Sequence, residues 1–319
     1  MKNVLHVFSV DSFCDWQDKK SIPPEVYSAL RVMFDGMPDL WKKSFQKEFE
    51  GKLRFTDSEE MRRRMASDHT EDLVFMPGMV VEPSSTHEVQ QVMKWAHAND
   101  VPVTPAGAMT GLSGGALPVE GGISLSTRRL NRIVTIDERN HQVVVEPGVI
   151  VQEMQEAVQA RGLFYAVDPA SRGSCTIGGN LAENSGGPRA VKYGVTKDWV
   201  LNLEVVLMDG SVIETGANTL KNSTGYNLTA LMVGSEGTLG VITRAKLKLL
   251  DLEESVLGLM VFFEQLEDCL AFVEVARRGA GRRGQAADEG ALDPMAIEFF
   301  DHRALQMATA RIPDVPEAA

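Results

Sequence analysis

At 319 residues, 44% of them hydrophobic, 24% charged and 7% aromatic, the chain has the make-up of a soluble globular protein, which excludes fibrous and disordered classes. It is long enough for two lobes, since single cores rarely grow beyond about 250 to 300 residues. A formal charge of −12 argues against a general polyphosphate-binding surface, so nucleic acid is not an expected partner.

The first twenty residues carry one short apolar run broken by Asp11, too weak for a secretory signal. Residues 1–72 are polar and charge-mixed, with helical spacing in "PPEVYSALRVMFDGM", and read as a helical N-terminal extension. From residue 73 the texture changes to strand, helix, strand. Ser85 with Glu88 three residues later gives a capping-box start to the helix "VQQVMKWAH". A glycine-rich loop follows at 104–122. "GGISLST" and "RIVTIDERNHQVVVEPG" are β-rich, the latter folding back through the polar turn "DERNH" as a hairpin. "VIVQEMQEAVQARG" is a helix closed by Gly162. "NLEVVLMDGSVIETG" repeats the hairpin logic, with Asp209 and Gly210 as a two-residue turn of the primed type. "GTLGVITRAKLKLL" completes an α+β domain over 73–250.

Near residue 251 the pattern restarts as strand "ESVLGLMVFF", helix "EQLEDCLAFVEVARR", a small and charged stretch "GAGRRGQAADEGALD", and strand-like "PMAIEFFD". Residues 251–319 therefore read as the start of a second domain, too short to enclose much core, and a further C-terminal half is expected. The apolar run "VLGLMVFF" is far short of the roughly 20 residues a spanning helix needs. Cys14, Cys175 and Cys269 are odd in number and form no CxxC pair, which fits a reducing, cytoplasmic setting.

Four clusters carry the chemistry: "PAGAMTGLSGG", "DPASRGSCTIGGNLAENSGG", "KNSTGYNL" and "GSEGTLGVIT". Glycines let backbone N–H groups approach an anion closely, and successive N–H groups in a turn form a concave nest that needs no cationic side chain. That suits a diphosphate in an acidic protein. Neither GxGxxG after a strand nor GK[ST] occurs, so nicotinamide-Rossmann and P-loop readings lose their main support. Any single cluster could be a surface turn; four together are not explained that way. Asn180, Glu183 and Asn184 offer hydrogen bonds to hydroxyls or ring heteroatoms, or else cap a helix starting at Asn180.

Together these segments resemble the FAD-binding oxidoreductases of the vanillyl-alcohol oxidase, or PCMH, fold. The branch is that of the glycolate oxidase FAD-linked subunits and the D-lactate and D-2-hydroxyglutarate dehydrogenases. The resemblance runs from Val74 to Leu250. It implies a two-subdomain FAD-binding domain followed by an α+β, ferredoxin-like cap. It also implies that the loop from Pro105, Ala106 and Gly107 through Ala108, Met109 and Thr110 to Gly111, Leu112 and Ser113 wraps the FAD diphosphate. Pro169, Thr176, Gly179, Asn180, Glu183 and Asn184 would lie along the isoalloxazine and ribityl groups, with Cys175, Gly178 and Gly187 in the same segment. Gly237, Val241 and Ile242 would meet the flavin or adenine edge through their backbone.

Met109 departs from the branch, which reads "GAGT" where this chain has "GAMT". Relatives with covalent flavin place a histidine near here, so a dissociable FAD is expected; a glycine needing positive φ would also be hard to replace. Cys175 reads as a small packed residue rather than a reactive thiol. No HxH, HxxH or HExxH pattern points to a metal site. Arg128, Arg129 and Arg132 read as a charged turn. Arg189, Lys192 and Tyr193 either support their loop or meet a substrate carboxylate, with loop support favoured. The resemblance implies hydride transfer from a 2-hydroxy acid to flavin N5 and an electron acceptor or partner subunit. The family's base, carboxylate-binding arginine and histidines sit in the cap and a later "GHxGDGNxH"-like stretch absent here, so no catalytic residue is named. A short FAD-binding subunit of a glycolate-oxidase-like complex and a non-catalytic flavin-binding protein are the rival readings.

Overall fold

The computed structural model describes residues 40–70, 72–253, 255–279 and 292–309, arranged as two units, Met1–Phe49 and Glu50–Ala319. The helical run expected at 23–37 lies outside the described residues. In the first unit, helix α1 (Leu40–Phe49) pairs the rings of Phe45 and Phe49 at 4.6 Å.

The second unit opens with β1 (Phe55–Thr56) and α2 (Glu59–Arg64), the helix capped by Ser58 Oγ, which accepts the Met61 N–H. Three short strands follow: β2 (Met79–Val81), β3 (Val103–Ala106) and β4 (Ile123–Ser126). They make a sheet in the order β1-β2-β4-β3, with β2, β4 and β3 parallel and β1 antiparallel at the edge. β2 and β4 are buried at every residue, as parallel strands covered on both faces must be. The crossover from β2 to β3 is α3 (Thr86–Ala98), which buries Val89, Val92, Met93 and Ala96. Ser85 caps it as expected, accepting the Glu88 N–H at 3.2 Å. The return half of the box is displaced by one residue: Glu88 accepts the Ser84 N–H at 2.8 Å and the Ser84 hydroxyl at 2.9 Å.

The second sheet is antiparallel: β5 (Ile133–Asp137), β6 (Gln142–Val145), β8 (Val200–Val206), β9 (Val212–Glu214) and β10 (Val241–Lys248), in the order β5-β6-β10-β8-β9. A small pair, β7 (Leu163–Phe164) with β11 (Leu250–Asp251), lies beside it in the sequence order. The "DERNH" hairpin is present, Asp137 facing Gln142 across the turn. The second hairpin differs from the expected two-residue primed turn. Val206 faces Val212, Leu207 N–H donates to Ser211 O, and only Gly210 has positive φ (78°). Three residues, 208–210, therefore make the loop, and the single glycine takes the left-handed position that such a bulged hairpin requires.

Helix α4 (Val151–Gln159) lays Val151, Met154 and Val158 on the sheet residues Val143, Val145, Leu203, Val205, Ala245 and Leu247. Each such side chain contributes about 1.5–3 kcal/mol when fully buried. The chain leaves α4 through Gly162 (φ 72°), as expected. The remaining helices are α5 (Ile177–Glu183), α6 (Ala190–Tyr193), α7 (Leu228–Met232), α8 (Leu266–Gly279) and α9 (His302–Thr309).

Two expected strands do not form. Residues 255–263 and 294–301 are without strand pairing, and side chains such as Leu257 (86% exposed) face outward. A strand exists only through ladder partners, and the described residues offer these segments none. The expected helix between them is α8; most of "GAGRRGQAADEGALD" lies outside the described residues.

Candidate FAD-binding cleft

The cleft forms where three glycine-containing segments meet. β3 ends at Ala106 and hands the chain to the first loop, whose far end is tied down by residues 68–70. Asp68 accepts the Gly114 N–H at 3.2 Å and both the N–H and hydroxyl of Thr70, while His69 N–H donates to Gly111 O at 2.9 Å. Met109 is in the left-handed region (φ 61°), and its side chain packs against the buried cluster of Met65, Val80 and Ala106. A methionine thus occupies a conformation that favours glycine, held by apolar contacts beneath the loop.

The second wall is α5 and the end of β6. Thr176, not Asn180, begins this helix: its Oγ1 accepts the Gly179 N–H at 3.4 Å, and the helical residues start at Ile177. Gly178 N–H donates to Pro147 O at 2.7 Å, and a β-carbon on Gly178 would stand 2.6 Å from Pro147 Cβ. Only glycine permits that approach. The third wall is 235–242. Gly237 (φ 74°) abuts Pro105, and Glu236 N–H donates to Ala182 O at 3.0 Å, tying this turn to α5.

The cleft has a cavity volume of about 70 Å³. Of the residues expected to hold the cofactor, it brings together Pro105, Ala106, Gly107, Gly178, Gly179, Glu183, Gly237, Val241 and Ile242. It adds Gly115, Ala116, Thr127, Pro147, Ala182, Ser235, Glu236 and Gly240. Ser235, Glu236 and Gly240 belong to the "GSEGTLGVIT" motif and were legible there; Thr127 and Pro147 carry no motif and reach the cleft only through sheet packing.

The other expected residues do not line it. Ala108, Met109, Thr110, Gly111, Leu112 and Ser113 continue along the loop, where Ser113 donates its hydroxyl to Glu183 Oε2 at 2.8 Å. Thr176 is the helix cap. Asn184 closes α5 in the left-handed region (φ 51°) and accepts the Lys197 N–H. Gly187 gives room to Asp168, whose carbonyl oxygen would be 2.1 Å from a β-carbon there. Pro169 O accepts Arg172 N–H in a turn. Cys175 is buried, and that burial pushes its thiol pKa up, consistent with a packed residue. Asn180 is buried, and its side-chain nitrogen has no hydrogen-bond partner.

The cleft lining contains two carboxylates, Glu183 and Glu236, and no lysine, arginine or histidine. A β-carbon on Gly115 would lie 2.9 Å from Glu236 Oε2 and 3.0 Å from Glu183 Oε1, so the two acids flank the same glycine. Burial, then the neighbouring Glu183 charge, raises the Glu236 pKa above the ordinary carboxylate value. An anion here would be met by backbone N–H groups rather than by cationic side chains. Gly107, Gly178 and Gly237 let Thr176, Pro147 and Pro105 close in against the backbone, and Val241 and Ile242 supply an apolar edge. This donor set fits the diphosphate and ring portions of FAD. A more open cavity of about 430 Å³, lined by Asn202, Glu204, Glu214, Arg244 and Lys246 among others, lies on the five-stranded sheet and contains none of the expected residues.

Arg189 serves its loop: its backbone N–H and its Nε both meet Asp168 at 3.2 Å, and its guanidinium stands over the Phe164 ring. Arg132 is bound to Glu146 through its backbone N–H, Nε and Nη2, at the end of β6 just before Pro147.

Residues 77–216 match an FAD binding domain family. Over 217 residues the chain is 44% identical to the glycolate oxidase subunit GlcD of Bacillus subtilis, covering 68% of this chain and 46% of that protein. It is 45% identical over 197 residues to a D-lactate dehydrogenase of Anaerostipes hadrus, covering 62% of this chain and 41% of the relative. It is 39% identical over 242 residues to a D-2-hydroxyglutarate dehydrogenase of Xanthomonas citri pv. viticola, covering 76% and 49%. Among solved structures, an alkyldihydroxyacetonephosphate synthase superposes with a TM-score of 0.59 at 25% identity, over 66% of this chain and 40% of that one. The chain spans about half the length of the curated relatives it matches. Among the described residues, no helix is long and apolar enough to cross a membrane.

Proposed function

Residues 77–216 are an FAD binding domain of the PCMH type, and on that premise we propose that this chain is the flavin-holding part of an oxidoreductase acting on a 2-hydroxy acid. The observation that carries the reading is the meeting of the loop from Gly107, the start of α5 and the 235–242 turn at one cleft. The printed names of relatives, a glycolate oxidase subunit and dehydrogenases of D-lactate and D-2-hydroxyglutarate, supply the substrate class.

In this proposal the N–H groups of Gly107 and Gly115, where the glycine loop lines the cleft, meet the diphosphate, each charge-assisted bond contributing about 1.5–3 kcal/mol. Val241 and Ile242 pack against a ring edge. Bound FAD would supply, at its N5, the acceptor for the hydride leaving the α-carbon, while the hydroxyl proton passes to a base and the 2-oxo acid forms. No histidine lines the cleft, which supports a dissociable cofactor. Turnover requires an electron acceptor or partner subunit to take the two electrons onward.

Purified protein folded with FAD and then desalted is expected to keep a flavin absorbance band that remains in the supernatant after acid denaturation. No band after desalting overturns FAD binding, and a band that stays with the precipitate overturns dissociability. Stopped-flow mixing with glycolate, D-lactate and D-2-hydroxyglutarate then reads the substrate class. If none bleaches the flavin, the chain by itself is not a competent dehydrogenase.

A further inference from the structure

A second constellation lies around α6, outside the cleft lining. Lys192 is well covered, its side chain 14% exposed, and its Nζ donates to Asp293 Oδ2 at 2.8 Å. The next residue, Tyr193, is 5% exposed and locked in place. Its ring packs edge-on against Phe164 at 5.7 Å and Trp199 at 6.2 Å, and the Trp199 indole N–H donates to its backbone oxygen. The Lys192 ammonium stands 5.3 Å from the centroid of that ring. The buried Tyr193 hydroxyl lies beside the Lys192 ammonium and has no acceptor for its own proton.

Proteins seldom leave a buried hydroxyl unsatisfied, because desolvation costs free energy that no bond returns. A covered ammonium likewise demands an anion. A carboxylate has two oxygens, enough to accept from both donors at once, but Asp293 bonds the ammonium and leaves the hydroxyl unmet. Arg189 is not a competing cation here, since its Nε faces Asp168. Asp293 comes from the stretch 292–301, which carries no helix or strand, and its side chain is 39% exposed. It is the more exposed member of the pair.

We propose that Lys192 and Tyr193 form a subsite for the carboxylate of a small organic acid, which the Asp293 side chain occupies in the absence of ligand. The incoming carboxylate takes one hydrogen bond from Lys192 Nζ and one from the Tyr193 hydroxyl, and Asp293 turns to solvent. No covalent step is involved. The 2-hydroxy acid of the proposed function carries such a group, and to that extent the inference rests on that reading.

The test is calorimetric titration of the full chain, with FAD added, using glycolate and acetate as probes. Acetate reads the carboxylate subsite alone. Asp293→Asn removes the internal competitor and is expected to bind both probes at least fivefold more tightly than the unmodified chain. Lys192→Met is expected to bind them at least tenfold more weakly. Tyr193→Phe is expected to weaken binding at least threefold. Asp293→Asn binding no more tightly, or Lys192→Met binding equally well, overturns the subsite; Asp293→Asn, a surface amide exchange, decides alone if Lys192→Met fails to fold. Flavin fluorescence recorded on the same samples reads FAD binding separately, so loss of the FAD reading and loss of the subsite are distinguishable outcomes.

Discussion

The Thr176 hydroxyl stands where a side chain on Gly107 would have to go: a β-carbon built on Gly107 lies 2.6 Å from Thr176 Oγ1. Thr176 is 1% exposed and its oxygen caps α5, so it cannot turn aside without giving up a cap that typically contributes about 0.5–2 kcal/mol. Gly107→Ala is therefore expected to destabilise the protein by about 1–3 kcal/mol, the usual cost of overpacking. It should also weaken FAD at least tenfold, read by urea unfolding and by flavin fluorescence. Gly258→Ala, where nothing lies within 4 Å, serves as the control and should change stability by less than about 0.5 kcal/mol. Equal behaviour of the two variants would remove the close approach from the account of the cleft.

Met109 reverses the ordinary ranking of alanine over glycine. Its φ of 61° strains any residue with a β-carbon, by about 1–2 kcal/mol. Met109→Ala keeps the strain and loses the packing on the cluster of Met65, Val80 and Ala106; Met109→Gly loses the packing but sheds the strain. The glycine variant should be more stable than the alanine variant by about 1 kcal/mol, after the entropic cost of glycine is counted. Thermal melts of the pair decide it, and alanine at least as stable as glycine would contradict a left-handed residue 109.

Asp68 anchors the loop from outside the glycine motifs. It holds the Gly114 N–H and, through Thr70, fixes the turn that delivers His69 N–H to Gly111 O. Asp68→Ala is expected to cost about 1.5–3 kcal/mol, as for hydrogen bonds to a charged group. Amide hydrogen exchange across 107–115 should quicken. Unaltered exchange there would show that the loop holds its shape without this tie.

Cofactor binding should be proton-linked through Glu236. Its pKa in the folded protein is raised by burial and by Glu183. A group with a raised folded-state pKa favours the folded, loaded state when protonated, and that advantage is lost as pH rises through the raised value. An incoming diphosphate is anionic throughout and disfavours the ionised acid further. FAD affinity is expected to fall as pH rises above the ordinary carboxylate range, because the acid must then ionise beside an anion. Glu236→Gln should flatten the dependence. Titrations at several pH values check this, and affinity rising with pH would refute it.

The motif residues and most elements were legible in the sequence because they rest on local chemistry. Ser85 before an apolar-periodic run starts a helix wherever it occurs, and "DERNH" between β-rich runs turns a chain back on itself. The glycine clusters were legible for the same reason, since close approach of backbone demands a residue without a side chain. What required the tertiary structure were relations between segments distant in the chain. Asp68 belongs to a charged stretch with no spacing that points at Gly114, and Pro147 reaches the cleft only because β6 pairs with β10. The 208–210 loop shows the limit within one hairpin, since "DG" fits two turn types and the pairing of Val206 with Val212 selects between them. The runs at 255–263 and 294–301 have strand composition, but a strand is a property of two segments and none of the described residues pairs with them. The sequence by itself therefore determined where side-chain-free backbone is needed and that a PCMH-type FAD domain is present, because both are written in local patterns. Which side chains face the cofactor cleft, and that Glu183 and Glu236 meet there without a cation, was decided by tertiary packing, because carboxylates far apart in sequence interact only once the fold has brought them together.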